Sequence, residues 1–438
     1  MERVISARGP LSTCRFHLRK IPAVTSQTAL QARLLFLLVL LAVASPALFA
    51  QEISPLDPPD TSRYLKWGPF RVRPSLTIPN LGYDNNVFYR PDNSTLPQVG
   101  DYFIALSPGV QGLVLFGHRA FLTFDERLEF YAYAGESDLN YYNQLGHARL
   151  TIPFRRFGVY GDFGYNRVRD RPLEAQDARP IRKEVPTGAG FILRLGWRTD
   201  AELGLTRAHL TAVDENDPRI GPLNDRVEKG TRLGARYLIV GRTRLLFDSA
   251  HRTIRFDDPV AGFLRDGDER RARLGVDFGL GGQLSGTVRA GWSNFDLSLP
   301  AATDFDGVIA DAALSYNFGG AGSRLTFVGA RDVRYTIYTN SNLYVYTGGE
   351  LTLIKYFNRF LGIEVGAGRA NLDFIGDPTG RIDVQTTGSV GLRFRISENQ
   401  MGRRVEYAIR YTRWLINSTD PDIDQNRGTF GFGLAFGY

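Results

Sequence analysis

The sequence predicts an all-β protein: a single transmembrane antiparallel β-barrel of about eighteen strands, with sixteen as the fallback count. Three observations carry that expectation. From Phe70 to Tyr438, apolar residues alternate with polar or small ones over stretches of about ten to sixteen residues, which is the period of a two-faced strand. The connections between those stretches alternate in length, as short periplasmic turns and longer extracellular loops do. The last stretch is amphipathic and ends on an aromatic residue.

Taken from the N-terminus, residues 1–50 look like a signal peptide. A cationic region ends at Arg33, the eleven residues Leu34 to Ala44 are apolar, and small residues lead to a cleavage point after Ala50. That run is too short for a membrane-spanning helix, which needs about twenty residues. Cys14, the one cysteine, precedes the run, so the exported chain is expected to have no disulfide, thiolate metal site or cysteine nucleophile. Of the formal charge of +7, residues 1–50 supply six basic groups against Glu2, or +5. The remainder holds 47 basic and 45 acidic groups, or +2, so no nucleic-acid partner is called for. Residues 51–69 form a short periplasmic lead rich in Pro and Asp, too small for a folded plug, and residues 70–438 form the barrel.

Within the barrel region, Ala120, Leu122, Phe124, Leu128, Phe130 and Ala132 share one face, with Thr123, Asp125, Arg127 and Glu129 on the other. Glu126 interrupts the apolar face, which predicts a bulge or an interfacial position. The alternation returns through Ile104 to Phe116, Leu233 to Ile239, Leu284 to Trp292, Val308 to Phe318 and Val384 to Ile396. A bilayer leaves no unpaired backbone, so such a sheet must close on itself. Aromatic residues near strand ends, among them Tyr131, Tyr133, Phe154, Phe157, Trp197, Trp292, Phe318, Tyr356, Phe357, Phe360 and Trp414, suit a girdle at the lipid boundary. Phe430, Phe432, Leu434, Phe436 and Tyr438 share a face of the final strand, and this resembles the insertion signal that the barrel assembly machinery recognises in bacterial outer-membrane proteins.

Catalytic and metal-binding patterns are poor. His118, His147, His209 and His251 lack metal-ligand spacing, so no cofactor or metal is expected. Ser249 and His251 share a strand face, as a hydrolase pair would, but no acidic orienting partner can be assigned from the sequence. Arginine is more informative, with 43 Arg and four Lys after residue 50. Alternation puts Arg232, Arg236, Arg271, Arg273, Arg393, Arg395 and Arg410 on the inward face, together with the acids Asp277, Glu350, Glu364, Asp311 and Glu406. Such charges either pair structurally or set a field across a water-filled pore.

Near the start stands Gly82-Tyr83-Asp84-Asn85-Asn86-Val87-Phe88. This stretch, after a first strand from Arg73, resembles the outer-membrane β-barrel porins associated with exopolysaccharide and capsule loci, of the beta-barrel porin type 2 kind. The resemblance implies passage of polysaccharide or small solutes, polysaccharide export components as partners, and no catalytic residue. The expected function is therefore a non-enzymatic, porin-like channel in the outer-membrane lipid, for polar or anionic solutes or polysaccharide. The alternatives are a non-conducting structural or adhesive barrel and a barrel hydrolase using Ser249 and His251.

Overall fold

A computed structural model describes residues 56–437 except 63, 118, 170–178, 214–223, 258–264, 281, 300–301, 320–321, 337–340 and 399–403. The expected signal peptide with Cys14, and the terminal Tyr438, lie outside the described residues. Strand β1 (Leu65–Trp67) is short. The barrel wall consists of β2 (Phe70–Asp84), β3 (Asp101–Phe116), β4 (Ala120–Tyr133), β5 (Tyr141–Pro153), β6 (Phe157–Arg169), β7 (Ile181–Arg194), β8 (Thr199–Val213), β9 (Arg226–Val240) and β10 (Thr243–Phe256). It continues through β11 (Gly267–Leu280), β12 (Leu284–Leu297), β13 (Phe305–Phe318), β14 (Ser323–Tyr335), β15 (Leu343–Tyr356), β16 (Leu361–Ile375), β17 (Ile382–Glu398), β18 (Arg404–Ser418) and β19 (Gln425–Gly437).

Each wall strand pairs antiparallel with the next, and β19 pairs back onto β2, so eighteen strands close without a free edge. The strands are 13 to 17 residues long. Connections at one end span two to five residues, and those at the other span six to sixteen. We call these the turn side and the loop side. The shortest turn is possible because Gly241 adopts φ 58°, a left-handed backbone that costs glycine nothing.

The seam between β19 and β2 is irregular for a reason written in the sequence. Pro79 has no N–H to give the ladder, and the register shifts on both sides of it, between Thr77 and Asn80 and between Phe432 and Leu434. Gly82 faces Gly431 across the seam. A Cβ on Gly82 would stand 2.0 Å from the Phe430 carbonyl oxygen, and one on Gly431 would meet the Asn80 side chain. Here glycine is needed for close approach.

Side-chain alternation separates two faces throughout the wall. One carries Leu203, Leu233, Leu245, Leu274, Val390 and Phe430, all exposed. The other carries contacts that skip strands, such as Arg271 to Asp332 between β11 and β14, and Tyr356 to Glu406 between β15 and β18. Only a concave surface allows such contacts, so the apolar face points outward and the charged face inward.

One expectation is narrowed and another needs correction. Glu126 pairs with Val110 and Gly146 without a register shift, so there is no bulge. Its carboxylate instead accepts a 2.8 Å hydrogen bond from the Gln144 amide beside it on the outward face. The aromatic girdle is real on the turn side, where Phe154 stacks on Phe157 and Tyr316 on Phe318, and where Trp197 is 71% exposed. Tyr131, Tyr133, Tyr356 and Trp414 are not part of it. Cross-strand register places them inward, opposite Tyr141, Phe103, Gly362 and Arg427.

Gly82→Val is expected to strain the seam by about 1–3 kcal/mol. The check is a lower urea midpoint for loss of the compact, heat-modifiable form on electrophoresis.

Candidate channel lumen

The inner wall is organised by charge pairing. On the loop side, Glu269 on β11, 1% exposed, accepts from Arg252 Nη2 at 2.6 Å and from Arg271 Nε at 2.9 Å. Ser293 Oγ donates to it at 3.1 Å, and Arg252 Nη1 also reaches Glu228 at 2.8 Å. At mid-height, Arg273 joins Asp248 and Asp311, each at 2.8 Å, and Arg289 shares Asp311 at 2.9 Å. These are charge-assisted pairs between residues on one strand, on adjacent strands or one strand further apart.

Toward the turn side, Glu364 holds Arg393 and, at 2.6 Å, Arg410. Glu406 holds Arg395 at 3.1 Å, Arg393 at 3.4 Å and the Tyr356 hydroxyl at 2.6 Å. Further round the wall Glu202 binds Arg236 at 3.1 Å and the Tyr160 hydroxyl at 2.9 Å, with Arg149 stacked 3.8 Å over the Tyr160 ring.

All ten residues expected to line a pore fall on the inward face: Arg232, Arg236, Arg271, Arg273, Asp277, Glu350, Arg393, Arg395, Glu406 and Arg410. The structure divides them. Arg271, Arg273, Arg393, Arg395 and Arg410 are committed to carboxylates, and Arg236 to Glu202. Asp277 and Glu350 accept from Thr287 and Thr352, at 3.2 and 3.3 Å. Arg232 differs. Its cross-strand neighbours are Gly204 and Ala250, it is exposed, and it makes no ion pair among the described residues.

Both mouths are narrowed by segments that leave the wall. β14 pairs with β13 only as far as Arg331, whereas its pairing with β15 continues to Tyr335. The freed hairpin end leans inward over the loop-side mouth. The Tyr335 ring meets Phe256 of β10 and Phe295 of β12 edge-on, both with centroids 5.3 Å away. Its hydroxyl donates to the Arg265 carbonyl at 2.8 Å, and the Arg226 and Arg265 guanidinium groups lie 5.3 Å from its ring centroid. Arg265 in turn donates to the Thr336 carbonyl. Val333, Leu343 and Val345 pack with Ile254, Phe305 and Ile309 beneath. At the turn-side mouth, Leu56 of the lead is buried against Tyr160 and Ile192 on β6 and β7, and Asp57 lies 3.7 Å from Arg194. Sequence reasoning missed Tyr335, Arg265 and Leu56, because none sits in a periodic pattern that announces contact across the mouth.

The segment Gly82 to Phe88 clasps the seam at its loop-side end. Asp84, fully buried, is held by Arg427 of β19, whose guanidinium also lies 4.1 Å over the Tyr89 ring and 4.9 Å over Trp414. Asn85 accepts from the Gly428 N–H at 2.8 Å, and the Asn85 N–H donates to the Gly428 carbonyl at 3.1 Å. Asn86, also fully buried, bridges the turn: its N–H donates to Asp84 at 3.0 Å and its amide binds the Arg90 backbone both ways. Tyr83 faces outward beside Tyr102, with centroids 5.1 Å apart, and Phe88 lies between Arg90 and Arg179. In the final strand Phe430, Phe432 and Leu434 face outward, aligned with Tyr83, Leu81 and Ile78. Phe436 aligns with Leu76.

Ser249 and His251 do share a face, and it is the outward one, level with Leu233 and Thr231 of β9. No hydrogen bond joins them among the described residues, and His251 lies 3.9 Å from Asp268.

A family model described as "Putative beta-barrel porin 2" matches residues 64–436. No curated protein matches the chain. Among solved structures, the outer-membrane protein OpdK of Pseudomonas aeruginosa is 12% identical with a TM-score of 0.47, covering 84% of this chain and 98% of its own. OccK2 (OpdF) of Pseudomonas aeruginosa is 10% identical with a TM-score of 0.49 over the same shares. A BenF-like porin of Pseudomonas fluorescens Pf-5 is 10% identical with a TM-score of 0.46, covering 84% and 99%.

Removing the Glu269 carboxylate with Glu269→Ala leaves Arg252 and Arg271 without their shared partner. It is expected to cost about 3 kcal/mol, with a smaller loss for Glu269→Gln. Equilibrium urea unfolding followed by tryptophan fluorescence measures both.

Proposed function

The chain belongs to this beta-barrel porin family of the bacterial outer membrane, and on that premise we propose that it is a non-enzymatic channel for small polar solutes with a preference for anions. The observation that carries the preference is Arg232. Most inward cations are neutralised by a carboxylate at hydrogen-bond distance, whereas Arg232 stands between Gly204 and Ala250 with its charge directed to the lumen. The inward acids Asp277 and Glu350, which accept from threonine hydroxyls, lie on other strands and set the opposing term that the permeability ratio weighs. An unpaired cation on the wall of a water-filled pore lowers the barrier for anions and raises it for cations.

The narrowed mouths favour small solutes over a polymer. A polysaccharide chain, the cargo implied by the Gly82 to Phe88 segment, would have to pass the Tyr335 hairpin. The loop side is read as extracellular and the turn side as periplasmic, since long loops face outward in this class of barrel. Residues 1–50 support export across the inner membrane. The outward aromatic face of β19 supports recognition by the barrel assembly machinery.

Purified protein in planar bilayers is expected to give discrete single-channel conductance with an anion/cation permeability ratio above one. A correctly folded, heat-modifiable barrel that conducts nothing overturns the channel in favour of a structural wall. Arg232→Gln is expected to lower the permeability ratio by about two- to fivefold, the size of a Coulomb term of up to about 1 kcal/mol in water. An unchanged ratio would remove Arg232 from the selectivity role.

Tyr335→Ala is expected to raise conductance by releasing the hairpin end from Phe256, Phe295 and Arg265. Liposome swelling with neutral oligosaccharides of increasing size then measures the change in cut-off and tests polymer passage directly.

A further inference from the structure

The outward face of the wall is not uniform. On β7 to β11 its turn-side half is apolar, through Phe191, Leu203, Leu233, Leu245 and Leu274. Its loop-side half is basic. Two pairs of cationic side chains stand directly opposite one another on neighbouring strands, Arg167 and Lys183 on β6 and β7 and Arg207 and Lys229 on β8 and β9. Arg270 on β11 stands beyond them opposite His251, which lies 3.9 Å from Asp268.

Like charges at cross-strand positions stand about 5 Å apart and repel, so a sheet gains nothing by placing them there on its own account. The nearby acids are already engaged. Asp257 lies 3.3 Å from His209, and Asp268 accepts from Thr253 at 2.7 Å and from Arg255 at 3.3 Å. Lys183, Arg207, Lys229 and Arg270 make no ion pair among the described residues. The same level of β19, β2, β3 and β4 carries Phe430, Tyr83, Tyr102 and Phe130 instead. The outward arginines of β14, β16 and β18, Arg331, Arg369 and Arg413, stand singly opposite small or neutral residues, so cross-strand pairing of cations is the mark of this sector.

We propose that this sector, centred on Arg207, Lys229 and Arg270, binds the phosphate groups of an anionic glycolipid in the outer leaflet. The inference rests on the outer-membrane reading. It is drawn from charge complementarity and depth: the cations lie just on the loop side of the apolar band, where acyl chains give way to headgroups. One doubly phosphorylated headgroup placed between two like-charged pairs converts their repulsion into charge-assisted hydrogen bonds. The acyl chains then lie along Leu203, Leu233 and Leu274.

The test uses the detergent-solubilised full chain and native mass spectrometry, with bisphosphorylated lipid A and its dephosphorylated form as probes. The triple variant Arg207→Gln, Lys229→Gln, Arg270→Gln is expected to retain the phosphorylated lipid on the order of a hundredfold more weakly, about fivefold per cation. A control triple, Arg331→Gln, Arg369→Gln, Arg413→Gln, on β14, β16 and β18, is expected to change it less than threefold. If the triple variant fails to fold, the singles Lys229→Gln and Arg270→Gln carry the same expectation at about fivefold each. Equal loss in both triples, or equal retention of the dephosphorylated lipid, overturns the proposal. Conductance of the same preparations separates the two readings: a silent wild-type barrel overturns the channel, and the lipid result stands or falls on its own.

Discussion

Closure is the condition on which every other feature depends. In a bilayer the backbone N–H and C=O groups of a strand have no water to turn to, so one open edge would leave a full row of them unsatisfied. The β19–β2 seam removes that edge, and it is where the sequence is least free. Pro79 breaks the ladder, Gly82 and Gly431 permit the close approach around Asn80, and Asp84, Asn85 and Asn86 fasten the loop-side end to Arg427 and Gly428. A segment that reads in sequence as a turn rich in Asn and Asp is thus the joint of the cylinder.

Closure also dictates what happens inside. An eighteen-stranded wall encloses more space than its side chains need fill, and a charge pointing inward must find water or a partner. The arrangement here uses both. Clusters about Glu269, Asp311, Glu364 and Glu406 brace neighbouring strands against one another, each carboxylate shared by at least two cations. Arg232 is left to the lumen. Bracing of the wall and, in the channel proposed above, ion selectivity thus fall to the same residue type at different positions.

The wall was legible in the sequence because the strand period of two is a local property. Leu122, Phe124 and Leu128 declare an outward face without knowledge of any neighbour, and the inward placement of Arg273 or Glu406 follows by counting. The pairings are not legible that way. Whether Arg273 is neutralised or free depends on Asp311, which lies 38 residues further along and one strand away from adjacency. How Glu126 is accommodated is hidden for the same reason, since its compensation by Gln144 comes from another strand. The narrowed mouths were beyond sequence reasoning altogether. Tyr335 looks like one more aromatic at a strand end until the hairpin that bears it departs from β13 and crosses toward β10.

Arg427 and Asp84 are 343 residues apart along the chain. At about 5–20 residues per second of synthesis, the last strand emerges roughly 17 to 70 s after the first. During that interval β2 has no partner on one side, and no partial cylinder is compatible with lipid. Folding cannot follow synthesis domain by domain. The wall has to be held back, kept from aggregating, and completed in one event whose final act joins the two ends of the polypeptide.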